Sequence, residues 1–246
     1  MTGTLLELDG VTKRFGRVVI ADDLSLTVGP GDTLGIVGPN GAGKTSLFGL
    51  ISGDLAPDAG RVSLGGKPVT RMDAAARCRL GVGRTYQVPR PFGGMTVFEN
   101  VLVAAQQGGG LRRQASYAAA GAALERTGMS GQANQPAARL GLLPRKRLEI
   151  ARALATRPSL LLLDEVAGGL TDPEVTGLVA VVRDINAEGV AVVWIEHVVR
   201  ALTSFVTRLA CLHGGRFVGD GTPAEVLASP KVREIYLGGD LDPPED

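Results

Sequence analysis

The chain has 246 residues, with 26 Lys and Arg set against 25 Asp and Glu and two cysteines. That length can bury a full core, as one large α/β domain or a domain with a subdomain, while the near-neutral balance gives no charge field of the kind that attracts nucleic acid or an anionic membrane. Cys78 and Cys211 lack metal-ligand spacing and require no oxidising compartment, so they read as small buried apolar side chains.

Met1 to Gly10 has no basic region followed by an apolar stretch, so no secretory signal is expected. No apolar run approaches the ~20 residues of a membrane-spanning helix. The expectation is a soluble, cytoplasmic chain that reaches a membrane only through partners.

Residues 4–37 alternate short β-rich runs with turns: Leu5, Leu6 and Leu8, then Val18, Val19 and Ile20, then Leu24, Leu26 and Val28. Phe15 falls in the turn between the first two. The turn residues alone make it an ordinary apolar plug, although an aromatic there could stack on a purine. Gly29-Pro30-Gly31-Asp32 leads into a buried strand, Thr33 to Val37. Gly38-Pro39-Asn40-Gly41-Ala42-Gly43-Lys44-Thr45 follows, and Lys44 to Ile51 reads as a helix. Strand, G-x-x-x-x-G-K-[ST] and helix in that order predict a phosphate-binding loop. Glycines let successive N–H groups turn inward around phosphates, and the helix N-terminus adds its positive dipole end. Lys44 would reach the β- and γ-phosphates and the Thr45 hydroxyl would ligate Mg²⁺, with Ser46 next in line. The chain is expected to bind a nucleoside triphosphate.

Beyond the loop, Arg61 to Leu64 reads as a strand before a Gly65-Gly66 turn, Asp73 to Arg79 as a helix, and Val82 to Gln87 as a strand stopped by Pro89 and Pro91. Residues 88–158 turn Ala-, Leu-, Gln- and Arg-rich, with helices expected at Val97–Ala105, Ala115–Arg126 and Pro144–Ala155. Thr96 ahead of Glu99 is a capping signal, and Gly108-Gly109-Gly110 reads as a flexible connection. The basic triplet Arg145–Arg147 reads as a solvated helix face. The sheet resumes at Ser159 to Leu163, then comes a helix from Pro173 to Ala187, a strand from Val190 to Ile195, a short helix, and a strand from Leu209 to Leu212. Near-continuous apolar strands alternating with helices predict a parallel sheet covered on both faces and interrupted by a helical insertion. The Pro- and acid-rich tail from Leu241 is expected to fray.

Asp164-Glu165 ends a buried strand, which would set Asp164 beside the phosphate loop to hold Mg²⁺ through water. Glu165 would orient or deprotonate an attacking water. His197 ends the next strand and could donate to the γ-phosphate, whereas His213 reads as structural. The Gln87 amide could contact the metal or the water.

Taken together, the loop 38–45, Gln87 in Arg84-Thr85-Tyr86-Gln87, the helix Arg147 to Leu154, Asp164-Glu165 and His197 resemble the ATP-binding subunit of an ABC transporter over essentially the whole chain. Gly83 to Gln87, Met95 to Val101, Ile195-Glu196-His197, Gly221 to Leu227 and Ile235 to Gly238 are similar to the branched-chain amino acid uptake ATPases. The resemblance implies an α/β P-loop NTPase core with a mixed or parallel sheet, an N-terminal antiparallel β subdomain and an inserted helical subdomain. On that division residues 1–240 form one cassette, with 1–87 and 159–240 as core, 88–158 as insertion and 241–246 as tail. It also implies that Phe15 stacks on adenine, overturning its plug reading, and that Gln87 senses the membrane subunit. ATP and Mg²⁺ are the implied cofactors. The implied partners are a second cassette in a homo- or heterodimer, membrane permeases and, indirectly, an extracytoplasmic binding protein, with no nucleic acid. The implied place is the inner face of the membrane.

The family signature Leu-Ser-x-Gly-Gln, which contacts ATP on the opposite subunit, is replaced by Leu140-Gly141-Leu142-Leu143-Pro144. Gly141 has no hydroxyl, Leu143 stands where the family keeps glycine, and Pro144 lacks an N–H but suits a first helical position. Val166 replaces the usual proline, and Thr171 stands near the usual Asp or Asn of the dimer-contact loop. The implied consequence is a competent ATP site that offers a weakened signature to its partner. The alternatives are a regulatory subunit with weak hydrolysis, or a cassette for lipid, lipopolysaccharide or urea transport.

Overall fold

The structure is a computed structural model that describes residues 3–237. In chain order it runs β1 (Leu6–Phe15), β2 (Val18–Val28), β3 (Thr33–Val37), α1 (Lys44–Ser52), β4 (Ala59–Leu64), β5 (Lys67–Pro68), α2 (Ala74–Arg79), β6 (Val82–Arg84) and α3 (Val97–Val103). It continues α4 (Gln114–Arg126), α5 (Leu142–Ala155), β7 (Leu160–Asp164), α6 (Asp172–Ala187), β8 (Ala191–Ile195), α7 (Val199–Thr203), β9 (Arg208–His213), β10 (Arg216–Gly221), α8 (Pro223–Ala228) and α9 (Pro230–Leu237).

Two sheets result. The smaller is antiparallel in the order β2-β1-β4-β5, with Leu6 and Leu8 of β1 inward and Glu7 and Asp9 outward, the period of a half-covered strand. The two apolar runs expected as separate strands between Val18 and Val28 form one strand, which absorbs its polar interruption through shifts in register against β1. The larger sheet runs β10-β9-β3-β8-β7-β6. Its β9, β3, β8, β7 and β6 are mutually parallel and β10 is antiparallel to β9, so the sheet is mixed.

Alternation along these strands feeds two cores. Leu34, Ile36, Leu160, Leu162, Val193 and Ile195 face α1 and the smaller sheet. Leu161, Leu163, Val192 and Trp194 face the opposite way, against α5, α6 and the helical insertion. Because β3, β7 and β8 are fully buried on both faces, they read as continuous apolar runs rather than alternating ones.

The insertion departs from expectation in several places. Thr96 does cap α3, accepting from Glu99 N at 3.2 Å while Glu99 Oε2 accepts from Thr96 N at 2.7 Å. However, α3 gives way to a π-helical turn over Ala104–Gly108. Gly108 is no flexible linker, because a Cβ there would lie 2.7 Å from Thr156 Cγ2. The helix expected from Pro144 begins two residues earlier, placing Pro144 third in α5, still within the turn whose N–H groups lack helical partners. Of the basic triplet only Arg145 is exposed; Lys146 is buried, so this is not a solvated face. Strands β5 and β10 and helices α8 and α9 were not distinguished as elements beforehand. The tail from Leu241 lies outside the described residues. None of the described helices is long and apolar enough to cross a membrane.

Candidate functional site

Parallel pairing of β3 with β8 and of β8 with β7 brings the carboxyl ends of all three strands to one edge of the larger sheet. Open α/β sheets bind ligands at that edge. The segment 38–43 leaves β3 there, Asp164-Glu165 leaves β7, and Glu196-His197 leaves β8.

The loop 38–43 is pressed closely against its surroundings. A Cβ on Gly38 would lie 2.1 Å from Leu212 O, and one on Gly43 would lie 2.4 Å from Ile20 O. Both glycines have positive φ, so the backbone can turn there where an L side chain would not fit. Pro39, Asn40, Gly41 and Ala42 complete the turn, with Ala42 N donating to Pro39 O at 3.2 Å. Lys44 opens α1 and curls back over the loop, donating from Nζ to Gly38 O at 2.6 Å and Pro39 O at 3.0 Å. Burial lowers the Lys44 pKa, opposed by the negative charges of Glu165 and Asp164, which places both carboxylates within electrostatic reach of the ammonium. Thr45 is exposed and Ser46 half-buried at the start of the same helix.

Asp164 shares strand parity with Leu160 and Leu162, so it points toward α1 and not toward the helical layer. It is 1 % exposed. Burial raises its pKa, partly offset by the Arg84 guanidinium, whose Nη2 stands 3.4 Å from Asp164 Oδ2. Asp164 Oδ1 is buried and has no hydrogen-bond partner. An orphaned carboxylate oxygen in such a place fits a cation or its hydration water. No cluster of three or more His, Cys, Asp or Glu able to hold a metal occurs among the described residues. One buried carboxylate with an open oxygen fits Mg²⁺, an ion that proteins hold through one or two carboxylates.

Glu165 lies between two partners. Gln87 Nε2 donates to its Oε2 at 2.5 Å, and His197 Nε2 stands 2.6 Å from its Oε1. The chain therefore brings Gln87, Glu165 and His197 together. Gln87 is not at a strand end as expected: β6 stops at Arg84, and Gln87 sits in a bend with its amide on the carboxylate. Phe15 is likewise the last residue of β1, not a turn residue, and is 55 % exposed with Lys13 Nζ 5.5 Å from its ring centroid. A plug would be buried; this ring presents a free face.

The segment Gly141, Leu142, Leu143 and Pro144 forms the N-terminus of α5. Gly141 is the N-cap and supplies no side-chain cap. Leu142 is 47 % exposed, and Leu143 packs partly onto the core. The exposed Leu142 stands at the variable position of the family pattern, while Leu143, at its glycine position, turns partly onto the core. Thr171 caps α6 with Glu174, and Val166 is buried. His213 is exposed at the end of β9, so it is not a core histidine.

Three residues beside these went unrecognised in the sequence. Arg84 has the parity of Val82 toward α1, Glu196 that of Val192 and Trp194 toward the helical layer, and Lys146 sits on the inward stripe of α5 with Ile150 and Leu154. Strand and helix periodicity applied to charged residues would have singled them out.

The sequence matches the ABC transporter family over residues 21–168, and the branched-chain amino acid ATP-binding cassette transporter family over residues 219–242. It is 36 % identical to a probable ABC transporter ATP-binding protein of Azorhizobium caulinodans, covering 93 % of this chain and 81 % of that one. It is 35 % identical to BraF, a high-affinity branched-chain amino acid transport ATP-binding protein of Pseudomonas aeruginosa, covering 97 % and 99 %. Its structure superposes on an ABC transporter ATP-binding cassette in its ADP conformation with a TM-score of 0.88 and 29 % identity, covering 97 % of this chain and all of that one. With a phosphate-binding loop, a buried strand-end carboxylate and near-complete coverage of such relatives, the chain belongs to the ATP-binding subunits of ABC transporters, alongside the branched-chain amino acid transport ATP-binding proteins.

Proposed function

We propose that this chain binds and hydrolyses ATP to drive import of branched-chain or related small amino acids or amides through partner permeases. The observation that carries the hydrolytic part is the carboxylate of Glu165, gripped by Gln87 and His197 within reach of Lys44. The substrate class rests on the matched relatives and on the match at residues 219–242.

In this reading Phe15 stacks on the base and the N–H groups of 38–45 cradle the phosphates. Lys44 exchanges its carbonyl partners for the β- and γ-phosphates. Thr45 and Asp164 would hold Mg²⁺, with Gln87 beside them, and the bound ion would supply neutralisation of charge on the phosphate oxygens. Glu165 orients water and accepts its proton, while His197 donates toward the γ-phosphate. The segment 141–144 faces ATP held by a second cassette. Tyr86, Val88 and Phe92, which lie close to Gln87 in the chain, expose apolar side chains, which suits a permease dock and a peripheral place on the inner membrane face. An extracytoplasmic binding protein would deliver the substrate.

Glu165→Gln keeps the shape and removes the base. Hydrolysis of Mg-ATP by the purified chain should fall by about 10²–10⁴-fold, with ATP binding retained. A wild-type rate in this variant would remove Glu165 from the role. The missing hydroxyl at Gly141 and the side chain of Leu143 at the glycine position favour a second reading, a subunit that closes on ATP but poorly completes its partner's site. Equal ATPase activity in dimers carrying Leu140–Pro144 and in dimers restored to the family signature would exclude it.

A further inference from the structure

Glu165 is one of four non-glycine residues with positive φ among the described residues, at φ 49. A side chain held in that region needs surroundings that over-determine it. Its N–H donates to Ile195 O at 2.9 Å, as the continuation of β7 beside β8 requires. Its carbonyl, no longer in the ladder, accepts from Lys146 Nζ of α5 at 3.0 Å.

Two residues on, Ala167 N donates to Glu196 Oε1 at 2.5 Å. The same carboxylate accepts from Trp194 Nε1 at 3.3 Å and, through Oε2, from His197 N at 3.2 Å. Lys146 is 5 % exposed and Glu196 1 % exposed. Burying an ammonium and a carboxylate is unfavourable unless each is paired or hydrogen-bonded. These two are spent on the backbone that flanks Glu165 and His197.

We propose that Lys146 and Glu196 are positioning residues for the Glu165–His197 pair. Lys146 fixes the peptide that lets Glu165 leave the strand in a left-handed turn. Glu196 ties the chain after Glu165 to the residue that begins His197, so the two side chains meet at 2.6 Å. Both act through hydrogen bonds within the chain. The inference rests on the catalytic reading of Glu165, but its geometry can be tested apart from hydrolysis.

The chain has two histidines, so the ring resonances of His197 can be assigned against a His213→Gln reference. In the purified full chain without nucleotide, Glu165→Gln gives the His197 signal of a broken pair. Lys146→Met should move that signal toward the Glu165→Gln position and leave His213 unmoved, and Lys146→Arg should return it. In Mg-ATP, Lys146→Met should lower kcat about 100-fold, the effect of misplacing a reacting group by about 1 Å, with the ATP Kd unchanged within about twofold. Glu196→Gln is isosteric and serves the same measurement if Lys146→Met does not fold. A wild-type His197 signal in the folded variants overturns the positioning role. A wild-type hydrolysis rate in Glu165→Gln would instead overturn the catalytic reading, leaving the resonance to decide the geometry.

Discussion

Replacing Arg84 by Met isolates the electrostatics of the buried carboxylate. The guanidinium donates from Nη1 to Ser52 Oγ at 2.9 Å and to Asp54 Oδ2 at 2.8 Å, and its Nη2 stands 3.4 Å from Asp164 Oδ2. It also lies over the rings of Phe48 and Tyr86. Methionine keeps most of the apolar stem and removes only the charge and donors. At 3.4 Å and an effective dielectric constant of about 20, the Arg84–Asp164 attraction is roughly 5 kcal/mol. Mutations that strand one member of a buried pair cost about 3–5 kcal/mol. Asp54 is partly solvated and suffers little, so the loss falls on Asp164. Urea unfolding should register a destabilisation of about 3 kcal/mol or more, and scanning calorimetry a fall in Tm of roughly 6–12 °C for a chain of this size. Asp164→Asn in the Arg84→Met background should recover at least half of the loss, because a neutral amide needs no counter-charge. A loss under about 1 kcal/mol, the scale of a surface pair, would refute the reasoning, as would strict additivity of the two substitutions.

Gly38→Ala should cost about 2–4 kcal/mol and abolish ATP binding in a fluorescence titration, since its Cβ would meet Leu212 O at 2.1 Å. Gly41→Ala, with nothing within 4 Å of its Cβ but a φ of +80°, should cost only about 1–2 kcal/mol. Burial raises the folded-state pKa of Glu196 above its unfolded 4.5, so its protonated form is favoured in the folded chain. Its contribution to stability is full below pH 4.5 and is lost as pH rises through the folded pKa. Urea midpoints measured across pH should therefore fall more steeply for wild type than for Glu196→Gln within that window.

The tight turn between β3 and α1 was legible because its geometry is local. Gly38, Gly43 and Lys44 act within one strand–turn–helix unit, and residue type at fixed spacing encodes it. Asp164 and Glu165 were legible because a run of leucines ending in two acids leaves the carboxylates no place but a strand end. What spacing could not supply was the meeting of Gln87, Glu165 and His197, which depends on the order β3-β8-β7-β6 and on three loops reaching the same edge. Lys146 defies the rule that charge signals solvent: the helix period puts it inward, and its ammonium finds a carbonyl there. Strand β10 escaped notice because Arg216 to Gly221 is polar and half-exposed, as a sheet-edge strand can be. Gly108 looked mobile because glycine is permissive, while its actual use is to let the π-helical turn approach Thr156.

The helices between β6 and β7 form a crossover between parallel neighbours, leaving at the carboxyl end of β6 and returning at the amino end of β7. Thr85 Oγ1 accepts from Asp164 N across 79 positions of chain. Loop-closure entropy grows only with the logarithm of length, so each doubling of such an insertion costs about 0.6 kcal/mol. Loops within the helical layer can therefore lengthen or shrink at little entropic cost, whereas α5 is held in place by the bond from Lys146 to the Glu165 carbonyl. The contacts that make α3, α4 and α5 are local, whereas the pairing of β6 with β7 joins residues some 78 positions apart. Arg84 travels with β6, so Asp164 meets its counter-charge only through that long-range pairing, and the sheet edge that carries both is assembled from halves of the chain far apart in sequence.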